Sequence, residues 1–359
     1  MKHSSRIQLF AGLILGASIA GIIGCEGRGE DKAARIDEIV QRYIDEGQVN
    51  GVVLVADKRQ VIYRRAAGLA HAEWNVPNTI DARFHLYSIT KSFTAMLIMQ
   101  LLEEGQIDLQ SPIATYLPGY RPDVGEQVTI HHLLIHTHGI PDIQYSKLPL
   151  LIDLPAVEFL NTYAAQDLEF EPGSSQSYSA LTGYSILGAI IEAVTGQPYV
   201  EVLEERILEP LGMSNTGFIY PGHAIPNLTT SYLNTLDERR LRFLNHSCNG
   251  ASSLYSTAGD LYRWDQALRT HELLTPALSQ VMLTPYAPAD QPHACYGWSY
   301  ARYPFGGVEK DLYASEGGGR NILMRIPEDG YLVVILNNVR SSTLAQMCVE
   351  ILNVLYGAE

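Results

Sequence analysis

The chain has 359 residues, 46% of them hydrophobic and 18% charged, with a formal net charge of −14 at pH 7. That length and composition suffice for a sizeable core, in one large domain or two intergrown lobes. The acidic balance argues against nucleic acid and anionic membrane surfaces as partners, because phosphate recognition draws on clustered Lys and Arg.

At the N-terminus Lys2 and Arg6 precede a charge-free run, LFAGLILGASIAGII, that leads to Gly24-Cys25. A basic start, an apolar stretch and a small residue at the boundary describe an export signal over residues 1–24. The apolar run is short for a full membrane span, although an uncleaved anchor is the alternative. The ending Ile22-Ile23-Gly24-Cys25 resembles a bacterial lipobox, which implies lipidation at Cys25 and a periplasmic or cell-surface protein held to the membrane by that anchor. Residues 25–33 read as a polar tether and residues 34–359 as the folded part.

Ile36, Ile39, Val40, Tyr43 and Ile44 share one face of a helix that stops at Gly47. GVVLVADKRQVIYRRAAGLA reads as two β-rich runs about a polar turn at Asp57-Lys58-Arg59-Gln60. A long apolar helix is expected from Ser88 to Glu104, ended by Gly105. Residues 106–240 are punctuated by prolines and mostly helix and loop; TGYSILGAIIEAVTG and YVEVLEERILEPLGM are the clearest helices there. Strand-like runs return in YGWSYARY, DLYASEGG, NILMRIP and YLVVILNNV, and TLAQMCVEILNVLYG closes the chain as an amphipathic helix. This order predicts an α/β fold of the α+β type: an antiparallel sheet built from both chain ends and flanked by helices, plus a mainly helical lobe.

The four cysteines, Cys25, Cys248, Cys295 and Cys348, contain no C-x-x-C pair, so zinc-ribbon and thioredoxin readings fail. A Cys248–Cys295 disulfide and buried free thiols both remain open. Walker A, G-x-G-x-x-G and G-x-S-x-G motifs are absent. His132 and His136 have the i, i+4 spacing that can hold zinc, with His138 or Asp142 as a third ligand; packing histidines are the competing reading.

The chemistry concentrates in FHLYSITKSFTAM, residues 84–96. At helical spacing Ser88 and Lys91 share a face. A serine hydroxyl needs a base to become a nucleophile, and a lysine amine in a dry site can serve. S-x-x-K alone is common, and a capping serine with a solvated lysine is the dull alternative. However, Lys91 interrupts an apolar helix of Phe93, Met96, Leu97, Met99 and Leu101, an expensive place for an unpartnered charge.

These residues resemble the serine β-lactamase and penicillin-binding-protein superfamily, in the branch of class C β-lactamases, D-Ala-D-Ala carboxypeptidases and related esterases. The likeness is carried by HLYSITKSFTAMLIMQLLEEGQIDLQSPIATYLP, VTIHHLLIHTHGIPD, the segment from FEPGSSQSYSALTGYS to PLGMSNT, and GASSLYSTAGDLYRWDQAL. It implies the β-lactamase/transpeptidase-like fold, with an α/β lobe from residues 34–85 and 241–359, a helical lobe from residues 86–240 and a site between them. By resemblance Ser88 is the acylated nucleophile, Lys91 its partner, and Tyr178 the tyrosine of a Y-x-N motif that shuttles the proton. The backbone N–H groups of Ser88 and Gly319 form the implied oxyanion hole. His136-Thr137-His138-Gly139 matches the family's His-Thr-x-Gly turn, which implies packing histidines and no metal; no organic cofactor is implied either.

Two motifs depart from the pattern. Ala180 stands where the family has asparagine, a residue that contacts the lysine and the substrate amide. Glu316-Gly317-Gly318 stands where the family has K-T-G or H-x-G, so an acid replaces a cation and disfavours substrates that carry a carboxylate. Gly317 and Gly318 allow close approach of backbone to substrate. Glu316 is expected to face substrate, or to pair with Lys91 or Arg320, and Tyr87 and Tyr313 are expected at the pocket wall. The resulting expectation is a serine hydrolase acting through an acyl-enzyme on a small-molecule or peptide-like ester or amide. A catalytically silent binding protein, and a D-Ala-D-Ala carboxypeptidase or β-lactamase, are the alternatives. Nothing in the sequence fixes the oligomeric state.

Overall fold

Strands covered on both faces have no polar side, and Asn321–Ile326 and Tyr331–Asn337 are buried at every position. They lie at the centre of a seven-stranded sheet in the computed structural model, which describes residues 20–144, 148, 154–220, 222–233, 249–286 and 293–357, with side chains from residue 31 except at 249 and 293. The strands are β1 (Gly51–Asp57), β2 (Gln60–Ala66), β3 (His293–Cys295), β4 (Trp298–Phe305), β5 (Val308–Gly317), β6 (Asn321–Ile326) and β7 (Tyr331–Asn337), in the order β2-β1-β7-β6-β5-β4-β3. Every pairing is antiparallel. The junction of the two chain ends is the β1–β7 ladder, in register from Gly51↔Asn337 to Ala56↔Leu332. The polar turn joins β1 and β2 through Lys58 and Arg59, both at positive φ, the backbone that a tight hairpin requires.

Alternation along these strands separates two cores. Val53, Val55, Ile322, Met324, Val333 and Ile335 face α1 (Ala20–Asp45) and α5 (Leu344–Tyr356), against Ile36, Val40 and Tyr43 of the first and Met347, Cys348 and Ile351 of the second. Val52, Leu54, Leu323, Val334 and Leu336 face the larger core, which includes α2 (Thr90–Glu103), α3 (Thr182–Thr195) and α4 (Ala258–Thr270). Helix α4 is tied to the sheet by a buried carboxylate: Asp265 accepts from Arg269 Nε at 2.6 Å and from Arg325 Nε at 2.8 Å. Three short strands, Phe84–His85, Leu254–Ser256 and Gly217–Phe218, make a small second sheet beside α2.

Two expectations need correction. Residues 25–33, read as a tether, are helical backbone, because α1 runs on from Ala20; Lys32 ties it to β1 through a 2.7 Å ion pair with Asp57. The long helix starts at Thr90 rather than Ser88, after a 3-10 turn at Tyr87–Ile89. Tyr87 has φ +51, so regular helix cannot extend back through it. Of the expected signal over residues 1–24, residues 1–19 lie outside the described residues, as does Cys248, and residues 20–24 are helical backbone of α1; of Cys25 only the helical backbone is described. Among the described residues no single helix is long and apolar enough to cross a membrane.

Candidate active site

The turn that carries Ser88 is held on three sides. Leu86 N–H donates to Leu254 O at 2.7 Å, and Asn321 Nδ2 donates to His85 O at 2.7 Å. From the third side the end of β5 presses in. A Cβ on Gly317 would stand 2.1 Å from Leu86 O, and one on Gly318 would stand 2.9 Å from the Tyr87 ring. Only glycine fits either place.

Ser88 opens into a cavity of about 620 Å3, lined also by Lys91, His136, Tyr178, Ala180, Trp298 and the stretch from Ala314 to Gly319 except Gly317. Lys91 is 3% exposed. Its Nζ makes three hydrogen bonds, to Ser88 Oγ at 3.1 Å, to Ala180 O at 2.7 Å and to Ala251 O at 3.1 Å. The rings of Tyr178 and Tyr184 flank it, each centroid 5.5 Å from Nζ. Three partners in this arrangement suit two protonation forms. An ammonium donates all three bonds, whereas a neutral amine donates to the two carbonyls and turns its lone pair to the Ser88 hydroxyl.

The Ala180 carbonyl thus meets the lysine where a longer side chain was missed in the sequence. Its peptide is fixed by Asp142, a residue that sequence reasoning raised only as a metal ligand. The Asp142 carboxylate accepts from Ser179 Oγ at 2.9 Å and from the N–H groups of Ala180, Leu181 and Thr182 at 2.9, 3.0 and 2.9 Å. Burial alone would raise this carboxyl. The N–H groups of Thr182 and Leu181, the Ser179 hydroxyl and the Ala180 N–H outweigh that and hold it below the usual carboxylate range. Asp142 therefore caps α3 and sets the backbone that leads into it.

His136 sits below the same segment at φ +61, its Nδ1 accepting from Ser179 N–H at 3.2 Å. Burial, and then the charge of Lys91, push its imidazole well below the ordinary range, so the ring is neutral. His132 Nδ1 accepts from Thr129 N–H and His138 Nδ1 from Ile140 N–H, at 3.2 and 3.0 Å. His132 and His138 thus each bind a nearby backbone N–H and His136 that of the distant Ser179, and no group of three His, Cys, Asp or Glu among the described residues is placed to hold a metal.

Several expected site residues sit differently. Tyr178 borders the cavity but is 60% exposed, and its ring lies 4.7 Å from that of His136. Its hydroxyl makes no hydrogen bond to Ser88 or Lys91 among the described residues. The segment before α3 has no regular structure to fix the ring. Tyr87 does not line the cavity: it is 7% exposed, its ring tilted against that of His85 with centroids 3.8 Å apart, and it is covered by Gly318. Gly317 is likewise spent on the contact with Leu86 O. Tyr313 lines a different cavity, with Arg269 and Arg325. Cys295 lines the site as a free thiol pushed up to about 12 by burial, and Cys348 is a second free, buried thiol.

Glu316 is at the cavity wall and pairs with neither Lys91 nor Arg320. The lysine is engaged as above, and Arg320 donates to Gly318 O and Tyr232 O. Although the Glu316 side chain reaches solvent, the protein around it strips enough water to push the carboxyl above its usual range. Exposed Arg340 lies over Gly319, its Nε 3.3 Å from where a Cβ would be. Strand β4 pairs with β5 only as far as Ser299↔Ala314, while β6 stays paired to Gly317. Among the described residues, Ser315, Glu316 and Gly317 therefore keep one unpaired backbone edge beside the cavity, a place for an extended substrate.

The model of the family described as Beta-lactamase matches residues 36–348, which span the sheet, α2 and this cavity. The chain belongs to the beta-lactamase family. It is similar to the esterase EstB of Burkholderia gladioli, 35% identical over 204 residues, which cover 52% of this chain and 52% of the esterase; the match thus spans about half of that relative's length. It is 27% identical over 274 residues to the D-alanyl-D-alanine-carboxypeptidase/endopeptidase AmpH of Escherichia coli K12, covering 73% of this chain and 69% of AmpH. Among solved structures, a penicillin binding protein from Bacillus halodurans superposes with a TM-score of 0.75 at 25% identity, over 86% of this chain and 97% of that one. The expected fold, an antiparallel sheet with helices and a helical part, is the fold observed. Within this family of serine hydrolases the relatives it matches include an esterase and a carboxypeptidase/endopeptidase, and a class C β-lactamase shares its fold.

Proposed function

We propose that the chain is a serine hydrolase that forms an acyl-enzyme at Ser88 on ester or amide substrates lacking a carboxylate next to the scissile bond. The observation that carries this reading is the 3.1 Å approach of Lys91 Nζ to Ser88 Oγ, with the other two valences of the nitrogen on the carbonyls of Ala180 and Ala251. Lys91 in its neutral form takes the hydroxyl proton as Oγ attacks the acyl carbonyl. The tetrahedral oxyanion receives the N–H groups of Ser88 and Gly319. Collapse breaks the bond to the leaving group, which departs with the proton held by Lys91 and passed through the Tyr178 phenol. Water then attacks the ester of Ser88, releasing the acid and restoring the hydroxyl. Tyr178 must close on the lysine for this step, and catalytic hydrogen bonds commonly tighten only around substrate.

The substrate limit rests on Glu316, a carboxyl at the cavity wall that would repel a substrate carboxylate. Export and a lipid anchor at Cys25 remain part of the proposal, on the N-terminal sequence alone. A fluorophosphonate probe tests the central claim. Intact-mass analysis should find one adduct, mapped to Ser88 and absent in Ser88→Ala, and p-nitrophenyl butyrate turnover should vanish with it. No adduct and no turnover in the wild type would identify a silent binding protein instead.

A further inference from the structure

Gly318 and Gly319 are the central residues of the turn between β5 and β6, closed by Arg320 N–H on Gly317 O at 2.9 Å. Their φ values are +60 and +65, and positive φ at both central positions marks a type I′ turn. A type II′ turn shares its ends and differs by rotating the central peptide through about 180°, with φ negative at the second central residue. Glycine at both positions admits either form. The rotating peptide is the one that carries Gly318 C=O and Gly319 N–H. In one state the site has an oxyanion donor; in the other, a carbonyl oxygen faces the developing negative charge.

Arg320 selects between them. The residue is 1% exposed. Its Nη1 donates to Gly318 O at 2.8 Å, and its Nε and Nη2 both donate to Tyr232 O. Its Cζ stands 5.4 Å from the centre of the Tyr87 ring, the ring that lies under Gly318 and precedes Ser88. Tyr232 is a fixed anchor, since its N–H donates to Asn338 O at 2.8 Å and its hydroxyl to Glu73 at 2.7 Å. A guanidinium is a planar fork and holds two carbonyls in set directions. With Gly318 O held by the buried fork, the N–H on the opposite edge of that trans peptide points away from the fork, and both glycines line the cavity.

We infer that Arg320 is a positioning residue for the hydrolytic site: it locks the Gly318–Gly319 peptide in the orientation that supplies the second oxyanion donor. It touches neither substrate nor reacting atoms, and the inference rests on the acyl-enzyme reading at Ser88. Losing one oxyanion donor slows catalysis by about 10²–10³-fold. Partial loss of the correct turn state should fall somewhat short of that.

The test compares wild type, Arg320→Met, Arg320→Lys and Arg320→Ala in stopped-flow acylation by p-nitrophenyl butyrate. Affinity for a phenylboronic acid, which forms a tetrahedral anionic adduct on the serine, is measured alongside. Thermal unfolding reports how much of each variant is folded. The expected result is kcat lower by about tenfold to a hundredfold, KM within about twofold, and boronate affinity reduced by the same factor as kcat. Added methylguanidinium should restore part of the rate to Arg320→Ala. If Arg320→Met does not fold, Arg320→Lys decides, because one ammonium cannot span Gly318 O and Tyr232 O as the fork does. Folded variants that acylate and bind boronate like the wild type overturn the inference, and so does a rise in KM with kcat intact. A wild type that forms no Ser88 adduct sinks the hydrolase reading itself and takes this inference with it.

Discussion

Lys91 Nζ lies closer to the carbonyl oxygen of Ala180, at 2.7 Å, than to the hydroxyl of Ser88, at 3.1 Å. A main-chain acceptor thus holds the lysine amine at this position. It cannot be removed by changing the side chain at that position. Ala180→Asn is therefore compatible with the lysine's existing contacts and mainly adds a polar group at the cavity wall.

Removing the amine should abolish the base. Lys91→Met is expected to slow acylation of Ser88 by about 10²–10⁴-fold, the usual range for a general base. Lys91→Arg should do no better, because a guanidinium keeps its protons. Burst kinetics with p-nitrophenyl butyrate check this; a Lys91→Arg enzyme with near-normal burst rate would show that only the positive charge matters.

Asp142→Asn should destabilise the protein, by about 1.5–3 kcal/mol if one charged acceptor bond is lost outright. The sign with pH follows from the lowered carboxyl. Its stabilisation is fully present above the ordinary aspartate range near 4 and is lost as pH falls through the depressed folded value. Urea unfolding should therefore show a wild-type advantage at pH 7 that narrows steadily below about pH 4. A gap independent of pH would mean that shape, not charge, sets the cost.

Glu316 has the opposite sign. Its carboxyl is raised, so ionising it in the folded state is unfavourable, and the penalty appears as pH rises above the usual glutamate range. Glu316→Gln should raise the unfolding temperature slightly at pH 7 and leave it unchanged near pH 4. Glu316→His should increase acylation by nitrocefin below about pH 6, where an exposed imidazole is cationic. Arg340 would then be a second cation beside Gly319. No gain in either pH range would remove charge repulsion as the barrier to β-lactams.

Export is tested separately. Expressed in a bacterial host, the full chain should fractionate with membranes, and Cys25→Ala should shift it to the soluble fraction or leave it uncleaved. Equal distribution of both forms, with both carrying the same N-terminus by mass, would discard the lipid anchor.

Much of the fold was legible because burial writes itself into period. The runs that became β1, β4, β5, β6 and β7 are strands where expected, and α3 ends at Gly196, a left-handed cap. Ser88 and Lys91 were legible for the same reason, since a step of three residues is about one helical turn and their contact needs no distant information. What distant packing decides was not legible. Tyr87 precedes the nucleophile yet turns inward, because Gly318 and Arg320 cover it. Asp142 lies 38 residues from the Ala180 amide it holds. No local pattern tells a carboxylate which helix it will cap.

The β1–β7 ladder joins Gly51 to Asn337, so the central sheet is complete only when nearly the whole polypeptide has been synthesised. Pairings so remote in the chain form slowly. A ribosome-bound nascent chain therefore lacks the partner of its first hairpin until Asn337 has emerged. Any truncation upstream of Tyr331 would leave the edge of β1 bare and expose it to intermolecular β-pairing.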